Sequence, residues 1–185
     1  VLDRFARFRF PDRTLNSRVV KACHAISIDD ERHTFWPVMW DEGSDPEPER
    51  IEQVWFPGVH SNVGGGYPKD HMAKVALDWM MKQAEDQGLQ FYKNDRDRVR
   101  EAANAHGKLY NSRAGLAAYY RYQPRDMMKI CHDSKAGVEV GTPKIHVSAL
   151  RRAARATDGY APANIPKNVS IVGTYAKDRK STRLN

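Results

Sequence analysis

Cysteine is scarce: Cys23 and Cys131 are the only two in 185 residues. Two thiols cannot frame a disulfide-stapled scaffold, and they suit a reducing compartment. No apolar run reaches the roughly eighteen residues that a membrane-spanning helix needs. The opening "VLDRFARFRFPDR" has neither the apolar core nor the small-residue cleavage site of a signal peptide, and no initiator methionine. No internal repeat is present. Gly-x-Ser-x-Gly occurs nowhere, which excludes from these residues a serine nucleophile on that kind of strand-to-helix elbow.

What is there suits a globular domain. Hydrophobic residues make up 41% of the chain, enough for a sizeable core. The formal net charge is +7. The last eight residues, "DRKSTRLN" at 178–185, resemble the conceptual translation of a sequencing adapter and are set apart from residues 1–177. They carry +2 of the charge, which leaves +5. An excess that mild reads as a solvated surface rather than a nucleic-acid face.

Residues 1–17 read as a loop leading into structure. In "RVVKACHAISI", 18–28, the apolar positions fit a helix face for most of the length, with a strand as the alternative because β-branched residues are frequent. "DEGSDPEPER", 41–50, is an acidic, proline-rich surface loop. "IEQVWFPG" follows as a short buried strand carrying Ile51, Val54, Trp55 and Phe56. A helix is predicted from Lys69 to Gln87. Asp70 sits in its first turn, Met72, Val75, Ala76, Trp79, Met80 and Ala84 form its apolar stripe, and Gly88 stops it. Beyond lie a short helix within 92–113, another over Val147 to Ala156, and a strand near Val169 to Val172.

The most informative stretch is "VWFPGVHSNVGGGYP", 54–68. An apolar strand runs into Gly58, His60, Ser61, Asn62 and then Gly64, Gly65 and Gly66, followed by a helix. Glycines allow positive φ and close backbone approach, so the loop can bend sharply and hold an imidazole at the bend. Spacing alone reads first as a tight turn with a hydrogen-bonded histidine. It also admits a catalytic base that takes a hydroxyl proton while an acid orients its other nitrogen. A phosphate cradle is weakly supported, because the stretch is neither GxxxxGK[ST] nor GxGxxG.

This stretch closely resembles the signature of an α/β-hydrolase family that includes catalytic domains of phospholipase effectors delivered by the bacterial type VI secretion system. "ISIDDERHTFWPVMW" and "VALDWMMKQAEDQGL" resemble further family segments in the same order. So do "NSRAGLAAYYRYQPR" and "IHVSALRRAARATDGYAPANIP", and the likeness covers roughly residues 12–173. The resemblance implies the fold class α/β, here as the C-terminal part of an α/β-hydrolase domain, incomplete. It also implies an ester hydrolase acting on phospholipid, without metal or organic cofactor, with His60 as triad general base. Gly58, Ser61, Asn62, Gly64, Gly65 and Gly66 would shape the site, and Asp30, Glu31 and Arg32 would support it. An immunity protein and peripheral membrane contact would follow from an effector role, as would a location in the cytoplasm or outside the cell. The family often has aspartate where this chain has Asn62: a carboxylate there could tune the histidine, or only cap the turn. The family's Gly-Phe-Ser-Arg-Gly elbow and the Asp-Thr-Val stretch that holds its acid are absent. The expectation is a fragment whose nucleophile and acid precede residue 1.

Two other readings stand beside the enzyme: a basic phosphate- or phosphoinositide-binding module, and a noncatalytic relative of the fold. Cys23-His24 and Cys131-His132 are two Cys-His dipeptides without the ligand spacing of a zinc site. Asp29, Asp30 and Glu31 beside Arg32 read as a solvated, salt-bridged helix end. Arg121, Arg125, Arg151, Arg152 and Arg155 read as an ordinary charged face, or as a surface for lipid headgroups. Trp36, Trp40, Trp55 and Trp79 read as core.

Overall fold

The computed structural model describes residues 13–47, 49–113 and 121–173. The segment "AGLAAYY" at 114–120 and the tail at 178–185 lie outside the described residues.

The strand predicted at "IEQVWF" forms as β2 (Ile51–Phe56). The 18–28 stretch, whose periodicity favoured a helix, is instead the strand β1 (Ala22–Ser27). The two run parallel, in register from Ala22 opposite Ile51 to Ser27 opposite Phe56. The correction has a physical cause. A strand covered on both faces carries apolar residues on both, so the alternation that would mark it is lost. Ile26 and the following Ile28 pack into a core with Met39, Trp55, Met127, Ile130 and Ile145. Cys23 and Ala25 pack against a second core of Val54, Phe56, Val63, Val75, Ala76 and Trp79. Alternate residues of β1 and β2 thus feed two hydrophobic clusters.

Two shorter strands complete the sheet. β5 (Lys144–His146) lies parallel to β2, and β6 (Ser170–Val172) lies parallel to β5, giving the order β1-β2-β5-β6. A separate antiparallel pair joins β3 (His132–Asp133) to β4 (Val138–Glu139). The connections between the parallel strands carry α1 (His60–Gly64), α2 (His71–Asp86), α3 (Lys93–Ala102), α4 (Met127–Cys131) and α5 (Val147–Ala154). Parallel strands linked through helices are the α/β class.

The helix predicted over Lys69 to Gln87 is α2, a little shorter at each end. Its buried stripe contains Met72, Val75, Ala76 and Trp79 as expected, but Met81 rather than Met80 faces inward, and Met80 is 37% exposed. Asp70 is the residue before the first turn, and its carboxylate pairs with Lys74 at 3.0 Å, one turn on. Gly88 takes φ +88° where the helix stops. Trp55 and Trp79 are core residues, whereas Trp36 and Trp40 are half-buried.

Two arginines assigned to a charged face are interior. Arg152 is 0% and Arg125 2% exposed. Arg152 donates to the carbonyls of Ala105 (2.8 Å) and Gly107 (2.7 Å) and to Asp158 (2.8 Å), tying α5 to the segment after α3. Arg125 donates to Ser27 Oγ and the Phe35 carbonyl. A guanidinium offers five donors in a fixed fork, so it can gather loop carbonyls that have no ladder partner. Neither can meet a lipid headgroup from where it stands.

Trp55 is fully buried in the middle of the sheet. Trp55→Ala is expected to cost about 3–5 kcal/mol in urea unfolding, whereas Leu89→Ala, at an exposed position, should change stability by less than about 0.5 kcal/mol.

Candidate active site

The ladder between β1 and β2 continues past both strands. The Ile28 N–H donates to the Phe56 carbonyl at 2.9 Å, and the Asp29 N–H donates to the Gly58 carbonyl at 3.1 Å. The two chains then leave the sheet together at its carboxyl end, the usual place for ligands in an open parallel sheet. "DDER" is therefore a strand end. The expected solvated helix end is overturned: Asp30 is 0% exposed. The reason lies in the next loop, whose backbone donors need acceptors.

Gly58 adopts φ +109°, and a Cβ there would sit 2.4 Å from the Asn62 Cβ, so only glycine fits. The chain turns and enters α1 at His60. The first N–H groups of a helix lack intrahelical acceptors. Asp30 Oδ2 accepts from the His60 N–H at 2.9 Å, and Asp29 Oδ2 accepts from the Gly58 N–H at 2.5 Å. Two consecutive carboxylates of one strand end thus hold two N–H groups of the neighbouring turn.

Their electrostatics differ. Burial pushes the Asp30 carboxyl up, but Arg32 and the N–H donors of His60 and Arg32 outweigh it, and the net shift is down. Arg32 Nε and Nη2 lie 3.0 and 2.6 Å from the two Asp30 oxygens, a fork on a carboxylate. Asp29 has no such contact. Burial pushes its carboxyl up, beyond what Gly58, the Tyr160 hydroxyl, Arg152 and Arg125 draw back down. Glu31 faces outward and pairs with Arg113 at 2.5 Å.

The His60 side chain is exposed. The Phe35 ring meets it edge-on, with centroids 5.3 Å apart at 71°, and the Arg32 guanidinium lies 3.7 Å above the centre of that same Phe35 ring. Asp30, Arg32, Phe35 and His60 therefore form one contiguous unit. Ser61 accepts the Gly65 N–H through its carbonyl at 3.1 Å. Gly65 and Gly66 also take positive φ, at +90° and +107°, and around them, as around Gly64, a Cβ would find open space.

Asn62 is 2% exposed. Its Oδ1 accepts from the N–H groups of Val59 (3.4 Å) and Tyr110 (3.2 Å), and its Nδ2 donates to the Lys108 carbonyl at 3.0 Å. Its side chain is spent on backbone, fastening the turn to residues 108–110. A carboxylate there would have nothing to donate to Lys108. Beyond the glycines, Tyr67 stacks on Tyr110 at 3.8 Å.

Sequence reasoning missed a second histidine, His146. It ends β5, is 3% exposed, stacks on Phe56 at 4.6 Å, and its Nδ1 lies 2.8 Å from Ser148 Oγ and accepts from the Ser148 N–H. Burial pushes its pKa down to about 4, so it is neutral at pH 7. Its neighbours make it a packed cap of α5 rather than an accessible base. Cys23 and Cys131 are free thiols, the latter pushed up to about 11 by burial. Among the described residues no three of His, Cys, Asp and Glu converge as a metal site. No described helix is long and apolar enough to cross a membrane.

The parallel sheet with its helices is an α/β arrangement, with the His60 turn at the carboxyl end of its two longest strands. Residues 1–83 match the family model described as "T6SS, Phospholipase effector Tle1-like, catalytic domain". That span runs through β1, β2 and α1 into α2, and it bears out the resemblance carried by the glycine-loop signature. No curated protein and no solved structure matches the chain.

Gly58→Ala forces a Cβ into Asn62 at a positive φ and is expected to cost about 1–3 kcal/mol, while Gly65→Ala meets backbone strain alone and should cost about 1 kcal/mol. Asn62→Ala, which orphans the Lys108 carbonyl and the Tyr110 N–H, should cost about 1–3 kcal/mol. Urea titration of each variant checks these values.

The low pKa of His146 means that the unfolded chain takes up its proton first. Its contribution to stability is complete above about pH 6.5 and falls as the pH drops from there towards 4, by up to about 1.4 kcal/mol per pH unit. His146→Gln should flatten that part of the stability profile, measured by urea unfolding between pH 7 and 4.

Proposed function

We propose that the chain is the C-terminal part of an α/β-hydrolase catalytic domain, of the kind found in type VI phospholipase effectors. His60 is the general base, taking the proton of a serine hydroxyl and later returning it to the leaving group. The serine, and the acid that orients the imidazole, come from polypeptide preceding residue 1. Backbone N–H groups supply the oxyanion hole, and the substrate is an ester of the phospholipid class. An immunity protein that covers the His60 turn would be the natural partner of such an effector.

The observation that carries this reading is the treatment of His60. Its backbone is anchored by Asp30, its ring rests edge-on against Phe35, and the ring stays exposed. Among the described residues no side chain hydrogen-bonds to the ring. An imidazole held only from behind suits a base whose partners approach from elsewhere.

The phosphate-module alternative fits less well. The Gly58 and His60 N–H groups, which an anion would need, are already given to Asp29 and Asp30. A phosphate at the turn would face two carboxylates at close range.

The test compares the 185-residue chain with the protein translated from the reading frame extended upstream. The longer protein should hydrolyse a phospholipid substrate, and His60→Ala should lower its kcat by about 10²–10⁴-fold. The 185-residue chain should not turn over. Ester hydrolysis by that chain, abolished by His60→Ala, would overturn the outside nucleophile. Unchanged turnover by the longer His60→Ala protein would overturn the base.

A further inference from the structure

The geometry points to Asp29, fixed by Tyr160, as a positioning residue for the His60 turn, a role that rests on the proposed reading of His60. Asp29 grips both backbone groups of Gly58. Its N–H donates to the Gly58 carbonyl at 3.1 Å, and its Oδ2 accepts from the Gly58 N–H at 2.5 Å. Gly58 is the residue whose positive φ sets the direction in which the chain reaches Val59 and His60. Holding the peptide units on both sides of the Gly58 Cα leaves that direction little freedom.

Asp29 is itself held. The Tyr160 hydroxyl donates to Oδ2 at 3.0 Å and approaches Oδ1 at 3.3 Å, across 131 residues of chain. Tyr160 is 7% exposed, and its ring lies 5.4 Å from the Arg152 guanidinium. Arg152 is anchored on the carbonyls of Ala105 and Gly107. Nearby, the Asn164 side chain donates to the Ile28 carbonyl at 3.0 Å, fastening the same segment to the end of β1. The carboxylate therefore has a fixed orientation before any substrate arrives, which is what a positioning group requires. Asp30 anchors His60 directly, and Asp29 anchors the turn that delivers it.

The test uses isotope-labelled 185-residue chain with Asp29→Ala, Asp29→Asn and Tyr160→Phe. The readouts are amide hydrogen exchange at Gly58 and His60, the His60 ring C–H resonances, and exchange through β2 and α5 as reference. In Asp29→Ala the Gly58 amide should exchange at least about tenfold faster than the reference amides allow, the change expected from losing one charge-assisted hydrogen bond, and the His60 ring resonances should move. Asp29→Asn keeps a carbonyl acceptor and should restore most of the protection. Tyr160→Phe should move the ring resonances less than Asp29→Ala does. In the upstream-extended protein, Asp29→Ala should lower kcat with KM little changed.

Unchanged Gly58 and His60 signals in Asp29→Ala would overturn the inference. So would an equal loss of protection through β2 and α5 in both the Ala and Asn variants, and so would an unchanged kcat beside altered signals. Full turnover by His60→Ala would instead defeat the base reading and leave the exchange result standing.

Discussion

The Gly58 and His60 N–H groups leave the sheet with no strand or helix carbonyl to accept them, and two adjacent carboxylates at the end of β1 take both. Much else at this end of the sheet follows from that demand. A buried N–H without an acceptor costs as much as a lost hydrogen bond, so the turn can exist only beside an acceptor. The acceptor must come from the neighbouring strand, because β1 and β2 are parallel and in register and so emerge side by side. Asp29 and Asp30 stand where their side chains reach the turn, and Gly58 bends so that its N–H meets them.

Placing two carboxylates together, one of them wholly buried, raises a second demand, for compensating charge. Asp30 has it in direct contact: Arg32 forks onto both oxygens and then extends over Phe35, whose ring makes a T-shaped contact with that of His60. Asp29 has it only at a distance, from Arg125 and Arg152. Those two guanidiniums carry a further duty, gathering the carbonyl of Ser27 at the end of β1 and those of Phe35, Ala105 and Gly107 outside the sheet. The buried arginines are thus joints between loops, and their charge also suits the strand-end carboxylates. Arg125 remains a cation, although burial lowers it to about 10 against the pull of Asp30 and Asp29.

The division of labour within the glycine loop follows the same physics. Gly58 packs against Asn62 and has no room for a side chain, so its glycine is a matter of both space and φ. Gly65 and Gly66 have room and need only their φ. Asn62 uses both ends of its amide on backbone groups of residues 59, 108 and 110. In this chain its side chain fastens the turn to residues 108–110. An amide does here what a carboxylate cannot, because one of its three backbone partners is an acceptor.

Local chemistry alone made β2, α2, the glycine turn and its histidine legible in the sequence. Their signals, an apolar run closed by Pro-Gly, a 3.6-residue stripe and a triple glycine, act over a few residues. β1 was misread because a strand buried on both faces loses its alternation. Met80 and Met81 exchanged places because the direction from which the sheet approaches α2 decides which of two adjacent methionines is covered. The meaning of "DDER", the interior place of Arg125 and Arg152, and the link from Tyr160 to Asp29 had no local signal. Each depends on which loop of the folded chain lies alongside, and a contact across 131 residues leaves no trace in the spacing of either partner.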